Sequence, residues 1–321
     1  MKGIGVVAAL TVTLSVLATT AGSTIVASSA ACGGATASVI ASVDSGVMAA
    51  VHRVELNGSE VTLDTAHVTG ARDLARAVAA DNRAATLNAV QRIVHHGFWH
   101  IVRLRVTDAA GRLLADVGGS DVISPVPGVL RSDGRVVGHF LMSVQDDAGF
   151  VRLEHRFVGD PAGIYLRGAL AFGLPPTLPR RLPATGSVRI GGVRSLISSQ
   201  QFAAFPSGTL RFSLLVGTPP ATVAALPCSL VRVDEFGSVA AHLSRVFNPL
   251  PHYGPYAFTV ALYTGALVFV RDGATQLASS AGAGPATLPT SGTVSYEGTN
   301  WTVFSFEARP PARIYLLVAP G

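Results

Sequence analysis

The sequence predicts an α+β protein in which N-terminal helices pack on antiparallel sheets, arranged as two tandem units. Three observations lead there. Between residues 36 and 93, apolar residues recur at spacings of three and four, the period of a helix. From His100 onward they alternate with polar residues or form short runs bounded by Gly, Pro and Asp, the pattern of hairpins. That strand pattern then repeats. Gly186-Ser-Val-Arg-Ile-Gly-Gly192 is echoed by Gly292-Thr-Val-Ser-Tyr-Glu-Gly298, and LRVTDAAGRLLADVGG at 104–119 by FVRDGATQLASSAG at 269–282.

The elements follow in order. Lys2 precedes an uncharged stretch, Gly3 to Val43, whose apolar centre is Ile4 to Leu17 and whose small residues lie at 27–31. This is the make-up of a secretory signal or an uncleaved anchor over residues 1–31. Either places the rest of the chain outside the cytoplasm, with membrane contact only through the N-terminus. Val39, Val43, Val47, Val51 and Val54 mark a long helix ended by Asn57-Gly58. Residues 71–80 make a short helix. Asp81-Asn82 can cap a third, with Leu87, Val90 and Ile93 on one face and Gly97 past its end.

Two hairpins are expected next. His100–Thr107 and Arg112–Val117 meet at the turn Asp108–Gly111, and 135–145 and 150–157 meet at Asp146–Gly149. Between them, 118–128 reads as a Gly/Pro loop. Pro175, Pro176, Pro179 and Pro183 read as a linker or a long loop, which bounds a first unit at 36–175 and a second at 185–321. The second unit contains strands at 187–190, 193–199 and 209–216. A helical stretch follows at 221–247, interrupted at Pro227, and strands are expected from 251 to the end.

Composition excludes some functions. The chain has 321 residues, of which 49% are apolar and only 13% charged, so disorder is not expected. The net charge is +5, but the arginines form no run, which argues against nucleic acid. There is no G-x-S-x-G, H-E-x-x-H, P-loop or C-x-x-C motif. His95, His96 and His100 are separated by Gly97 and lack metal-ligand spacing. Neither an enzyme, a metal site nor a cofactor is expected. Cys32 follows Ser29-Ala-Ala31, which is similar to a lipobox but has Ser where Leu is usual, so lipidation of Cys32 and a disulfide with Cys228 both stay open.

Residues 36–170 resemble a Cache-type extracellular sensor domain, the PAS-like or PDC-type module of bacterial kinases and chemoreceptors. The resemblance rests on Val102-Arg-Leu-Arg-Val-Thr-Asp108, Gly111-Arg-Leu-Leu-Ala-Asp-Val117, Gly134-Arg-Val-Val-Gly138 and Ser143-Val-Gln-Asp-Asp147. With residues 221–321 as a divergent second copy, it implies a double-Cache layout in an exported bacterial protein. No output domain of that family follows, so a free-standing binding protein with a membrane signalling partner is implied.

A sensor of this class needs a pocket with an apolar wall and a few fixed polar groups. Period two puts Arg103 and Arg105 on one strand face, and His139, Ser143 and Gln145 on another, with Trp99 as a candidate wall. A guanidinium pair suits a carboxylate, which it can hold by two parallel hydrogen bonds. The expected function is therefore extracytoplasmic binding of a small molecule such as a carboxylate. The alternative is a structural or interaction protein of the cell envelope that keeps the fold without a ligand.

Overall fold

The computed structural model describes residues 30–97, 99–119, 122–247, 252–308 and 311–320. The signal-like stretch lies outside them. From Ala31 onward the chain is one compact unit.

Helix α1 (Thr36–Asn57) buries Val43, Val47, Met48 and Val51, one side of the helix at the expected spacing. Together with α2 (Ser59–Gly70) it is long and apolar enough to cross a membrane. Here its apolar side is covered by protein. Sequence reading passed over α2 because Gly58 marks a break and the helix has little amphipathic character. Helices α3 (Arg72–Ala79) and α4 (Arg83–Val94) lie where expected. The Ala85 N–H donates to Asn82 Oδ1 at 3.0 Å, so Asn82 is the cap, and Gly97 has φ +69°.

The first sheet contains β1 (Arg103–Asp108), β2 (Leu113–Gly118), β4 (Val126–Ser132) and β5 (Arg135–Ser143), in the order β2-β1-β5-β4. Two-residue strands β3 (Val122–Ile123) and β6 (Gln145–Asp146) pair beside it. Two expectations are corrected here. The stretch from Val126 is a strand, because Pro127 lies on the edge of the sheet, where a missing N–H is tolerated. Residues 150–157 are not a strand but part of α5 (Asp147–Phe157). Asp146 caps this helix by accepting from the Gly149 N–H, and Phe150, Val151, Glu154 and Phe157 face inward.

The second sheet contains β7 (Ala162–Leu166), β8 (Ala169–Leu174), β9 (Gly186–Ile190), β10 (Val193–Ala203) and β11 (Thr209–Gly217), in the order β8-β7-β11-β10-β9. The Pro-rich stretch 175–183 thus joins two strands of one sheet. Next come α6 (Ala221–Ala224), α7 (Cys228–Phe247) and α8 (Tyr253–Thr264). Helix α8 stands where strands were expected. Its Tyr256, Ala257, Val260 and Tyr263 are buried at helical spacing. The third sheet contains β12 (Leu267–Asp272), β13 (Thr275–Ser279), β14 (Ser291–Tyr296), β15 (Thr299–Glu307) and β16 (Arg313–Val318), in the order β13-β12-β16-β15-β14.

The fold class is α+β, and the second and third sheets share one strand order, second-first-fifth-fourth-third. The first sheet has the same order without a third strand. The sequence echoes fall on equivalent places: β9 and β14 with their turns, and the β1–β2 and β12–β13 hairpins. There are three such sheets.

Two large cores organise these layers. Helices α2, α3 and α4 cover one face of the first sheet, burying Leu104, Val106, Phe140 and Met142 against Val68, Leu74 and Val90. Helices α1, α5, α7 and α8 fill the space between the second and third sheets, so Phe212 and Leu214 share a core with Val268 and Leu316.

Gly128 on β4 lies opposite Phe140 on β5, and a Cβ there would sit 2.0 Å from Phe140 Cζ. The ring covers the glycine. Gly128→Ala is therefore expected to destabilise the protein by about 1–3 kcal/mol through overpacking. An unchanged melting temperature would contradict this account of the sheet.

Candidate binding face of the first sheet

Antiparallel register turns the alternation of β1 into a site. Arg103, Arg105 and Thr107 lie opposite Ser143, Leu141 and His139 on β5. Directly opposed residues share a face. The intervening Leu104, Val106, Phe140 and Met142 point to the helices, which leaves a polar face on the other side. Across β2, Asp116 lies opposite Arg105.

Asp116 serves both arginines. Arg103 donates from Nε to Asp116 Oδ1 at 2.8 Å and from NH2 to Oδ2 at 3.0 Å, a two-bond pair. Its guanidinium also lies 4.7 Å from the centre of the Phe205 ring. Arg105 reaches Asp116 Oδ2 at 3.4 Å, and its side chain is 32% exposed against 16% for Arg103. Arg105 is thus the more exposed and the more loosely held of the two.

Phe205 and Pro206 belong to the β10–β11 turn. This turn is fastened to the β3 segment beside the first sheet by an Ile123–Ala204 bridge and by the Ser124 N–H donating to the Ala203 carbonyl at 3.1 Å. Between turn and sheet lies a cavity of about 400 Å³, lined by Arg105, Thr107, His139, Leu141, Pro206 and Ser207. That volume suits a small molecule.

Of the sequence-selected residues, Arg105 and His139 line this cavity. Arg103 and Ser143 share the face but are engaged inside the protein. Ser143 is fully buried, and its hydroxyl faces the carbonyls of Ile123 and, at 3.1 Å, Gln145. Gln145 does not continue the face, because β5 ends at Ser143 and Gln145 pairs with Ile123 on β3. Trp99 lies on the helix side, stacked on His67 at 4.2 Å and packed against that core. Phe98, which precedes it, is outside the described residues. Asp116, Phe205 and Pro206 were missed. Asp116 could have been found by pairing the two strands of the Asp108–Gly111 turn, but no local signal brings the β10–β11 turn to this sheet.

A larger groove of about 890 Å³ runs between α1, α7 and α8, walled by Val39, Val43, Val47 and Phe236, with Arg53 and Arg232 among its residues. Arg232 lies one helical turn from Cys228, toward the start of α1, whereas Arg53 is about 25 Å from that start at 1.5 Å per residue. Its charges therefore do not converge. At that same end Cys32 and Cys228 are bonded to each other.

Antiparallel sheets in this strand order, backed by helices and following a long N-terminal helix, are the arrangement that the resemblance to a PAS-like module implies. No family model and no curated protein matches the chain. Among solved structures, it is similar to the periplasmic domain of LuxQ from Vibrio cholerae, with 9% identity and a TM-score of 0.34, covering 57% of this chain and 98% of that one. It is also similar to the ligand-binding domain of the Pseudomonas fluorescens chemoreceptor CtaA in complex with L-serine, with 12% identity, a TM-score of 0.28 and coverage of 51% and 93%. A third is the ligand-binding domain of the Pseudomonas aeruginosa PAO1 amino acid chemoreceptor PctC in complex with GABA, with 13% identity, a TM-score of 0.24 and coverage of 48% and 95%. At these scores the likenesses carry no functional weight.

Proposed function

We propose that this chain is a non-enzymatic, extracytoplasmic sensor-type protein that binds a small anionic molecule, such as a carboxylate, at the cavity between β1, β5 and the β10–β11 turn. One observation carries the reading: Arg105, held to Asp116 only by a 3.4 Å contact, presents a part-exposed guanidinium to a cavity of ligand size. Thr107, Ser207 and His139 offer further polar contacts, and Leu141 and Pro206 an apolar wall. Export is supported by the signal-like N-terminus and by the disulfide, since such bonds persist in oxidising compartments. We read each of the three sheets with its helices as one sensor-like module, and a membrane partner as the receiver of the signal. The competing reading is an envelope protein that keeps the fold without a ligand. It draws on Arg103 and Ser143, whose polar groups already have partners inside the chain.

A thermal-shift screen with organic acids and amino acids separates the two. A ligand at 100 times its Kd stabilises by about 2.7 kcal/mol. Wild-type protein is expected to respond to at least one acid, and Arg105→Ala to lose the response while melting normally without ligand. A screen with no response favours the envelope reading, and a response unchanged in Arg105→Ala moves the site elsewhere.

A further inference from the structure

Four acidic side chains gather inside the protein, and among the described residues no guanidinium or ammonium group joins them. Asp44 comes from α1, Glu154 from α5, Asp160 from the α5–β7 connection and Glu235 from α7. Asp44 and Glu154 are fully buried. Both carboxyl oxygens of each, and Asp160 Oδ2, have no donor from the chain. Yet the Asp44 carboxyl lies within hydrogen-bond reach of both Glu235 and Asp160, and the charge of Glu154 is felt at Asp44. Two ionised carboxylates accept only, so neither can satisfy the other. A proton held between them supplies the missing donor. Among the described residues, no three such groups are arranged to hold a metal ion.

The surroundings add little positive charge. Helix α7 also contributes Asp234 and His242, whose Nδ1 is buried without a partner. His155 on α5 lies beside Asp160, its Nδ1 3.3 Å from the Asp160 carbonyl. Strand β10 faces α1 with Ser198 and Gln200, which bond Ser45. Arg211 of β11 belongs to the opposite side of its sheet, over Tyr165. Helix α8 offers Tyr256, whose hydroxyl donates to the Ala240 carbonyl, and Tyr263. Further along α1 lie His52, Arg53 and Glu55.

We propose that this cluster is a proton-operated joint: protonated, it fastens α1 and α7 to the α5–β7 connection, and ionised, it drives them apart. It would make the seam between the second and third sheets responsive to external pH, independently of the ligand cavity. Burial is the largest cause in each case and raises Asp160 to about 6 and Glu235 to about 7, with Asp44 and Glu154 pushed further up. Neighbouring carboxylates add to the rise at Asp44 and Glu235, whereas His155 and Asp44 oppose it at Asp160. Carboxyls raised in the folded state stabilise fully below their unfolded values, about 4, and lose that stabilisation as pH rises through 6 and 7.

The test is the melting temperature of the full chain at about pH 5 and about pH 8. Wild-type protein is expected to melt at least roughly 5 °C lower at the higher pH. Glu235→Gln and Asp160→Asn should each flatten this slope and melt above wild type at the higher pH. Half-buried His52, lowered to about 4 by desolvation, works in the opposite direction, so the difference between variant and wild type is the decisive reading. Arg105→Ala should leave the slope as it is. A wild type that melts no lower at the higher pH, or variants that keep its slope, would overturn the joint. Should a variant not fold, amide exchange in wild type decides. After correction for intrinsic rates, protection of α1 and α7 lost at the higher pH supports the proposal, and unchanged protection overturns it.

Discussion

Replacing Cys32 and Cys228 together by serine is expected to lower the unfolding free energy by about 3–5 kcal/mol, near the top of the range for one disulfide. The size follows from loop length. The bond closes a separation of 196 residues, with Cα atoms 4.7 Å apart, so it removes much freedom from the unfolded chain. It also ties the start of α1 to the first residue of α7. Backbone contacts there remain in the serine variant, including the Cys32 N–H donating to the Leu226 carbonyl at 2.8 Å, so the native geometry is kept. Chemical denaturation with and without reductant checks this. Wild type should shift to the midpoint of the double-serine variant when reduced, and the variant should not shift further. Equal midpoints in oxidised and reduced wild type would show that the bond contributes nothing.

The second large effect is expected from Phe150→Ala, at about 3–5 kcal/mol. Phe150 is fully buried on α5 and meets three rings edge-on: His52 at 5.7 Å, Phe202 at 5.6 Å and Phe212 at 5.4 Å. Those rings come from α1, β10 and β11, so truncation opens a cavity where three elements converge. Aromatic edge contacts add to the loss from burial. By contrast, Arg152 on the outer side of α5 can be replaced by Ala with an effect within about 0.5 kcal/mol, apart from its contact 5.5 Å from the Phe172 ring. If Phe150→Ala cost as little as Arg152→Ala, α5 would not be the helix described here.

That helix shows where sequence reading reaches its limit. In FVRLEHRF at 150–157 the apolar residues suit either an alternating strand or one side of a short helix. Asp146 decides, because its side chain caps the helix, but Asp-Asp-Ala-Gly is also a good hairpin turn. Helix α8 was hidden by the Pro residues in front of it. Helices α1, α3 and α4 were legible because their periods run long enough to exclude a strand. The β1 face was legible for a similar reason: six alternating residues leave only one way to place Arg103 and Arg105 together.

Local pattern therefore determined the α+β class, the early helices, the β1–β2 hairpin, the arginine face, and the echo between β9 and β14. Each depends on residues a few positions apart, where period and turn chemistry act directly. Three things were decided only by tertiary structure. The Pro-rich stretch proved internal to the second sheet, because β7 pairs with β11 some 50 residues later. Arg103 and Arg105 proved unequal, because Asp116 and the distant Phe205 engage the first more closely. Asp44, Glu154, Asp160 and Glu235 proved to be neighbours. Strand pairing, charge neutralisation and the withdrawal of carboxylates from water are set by which segments the cores bring together, and no spacing along the chain carries that information.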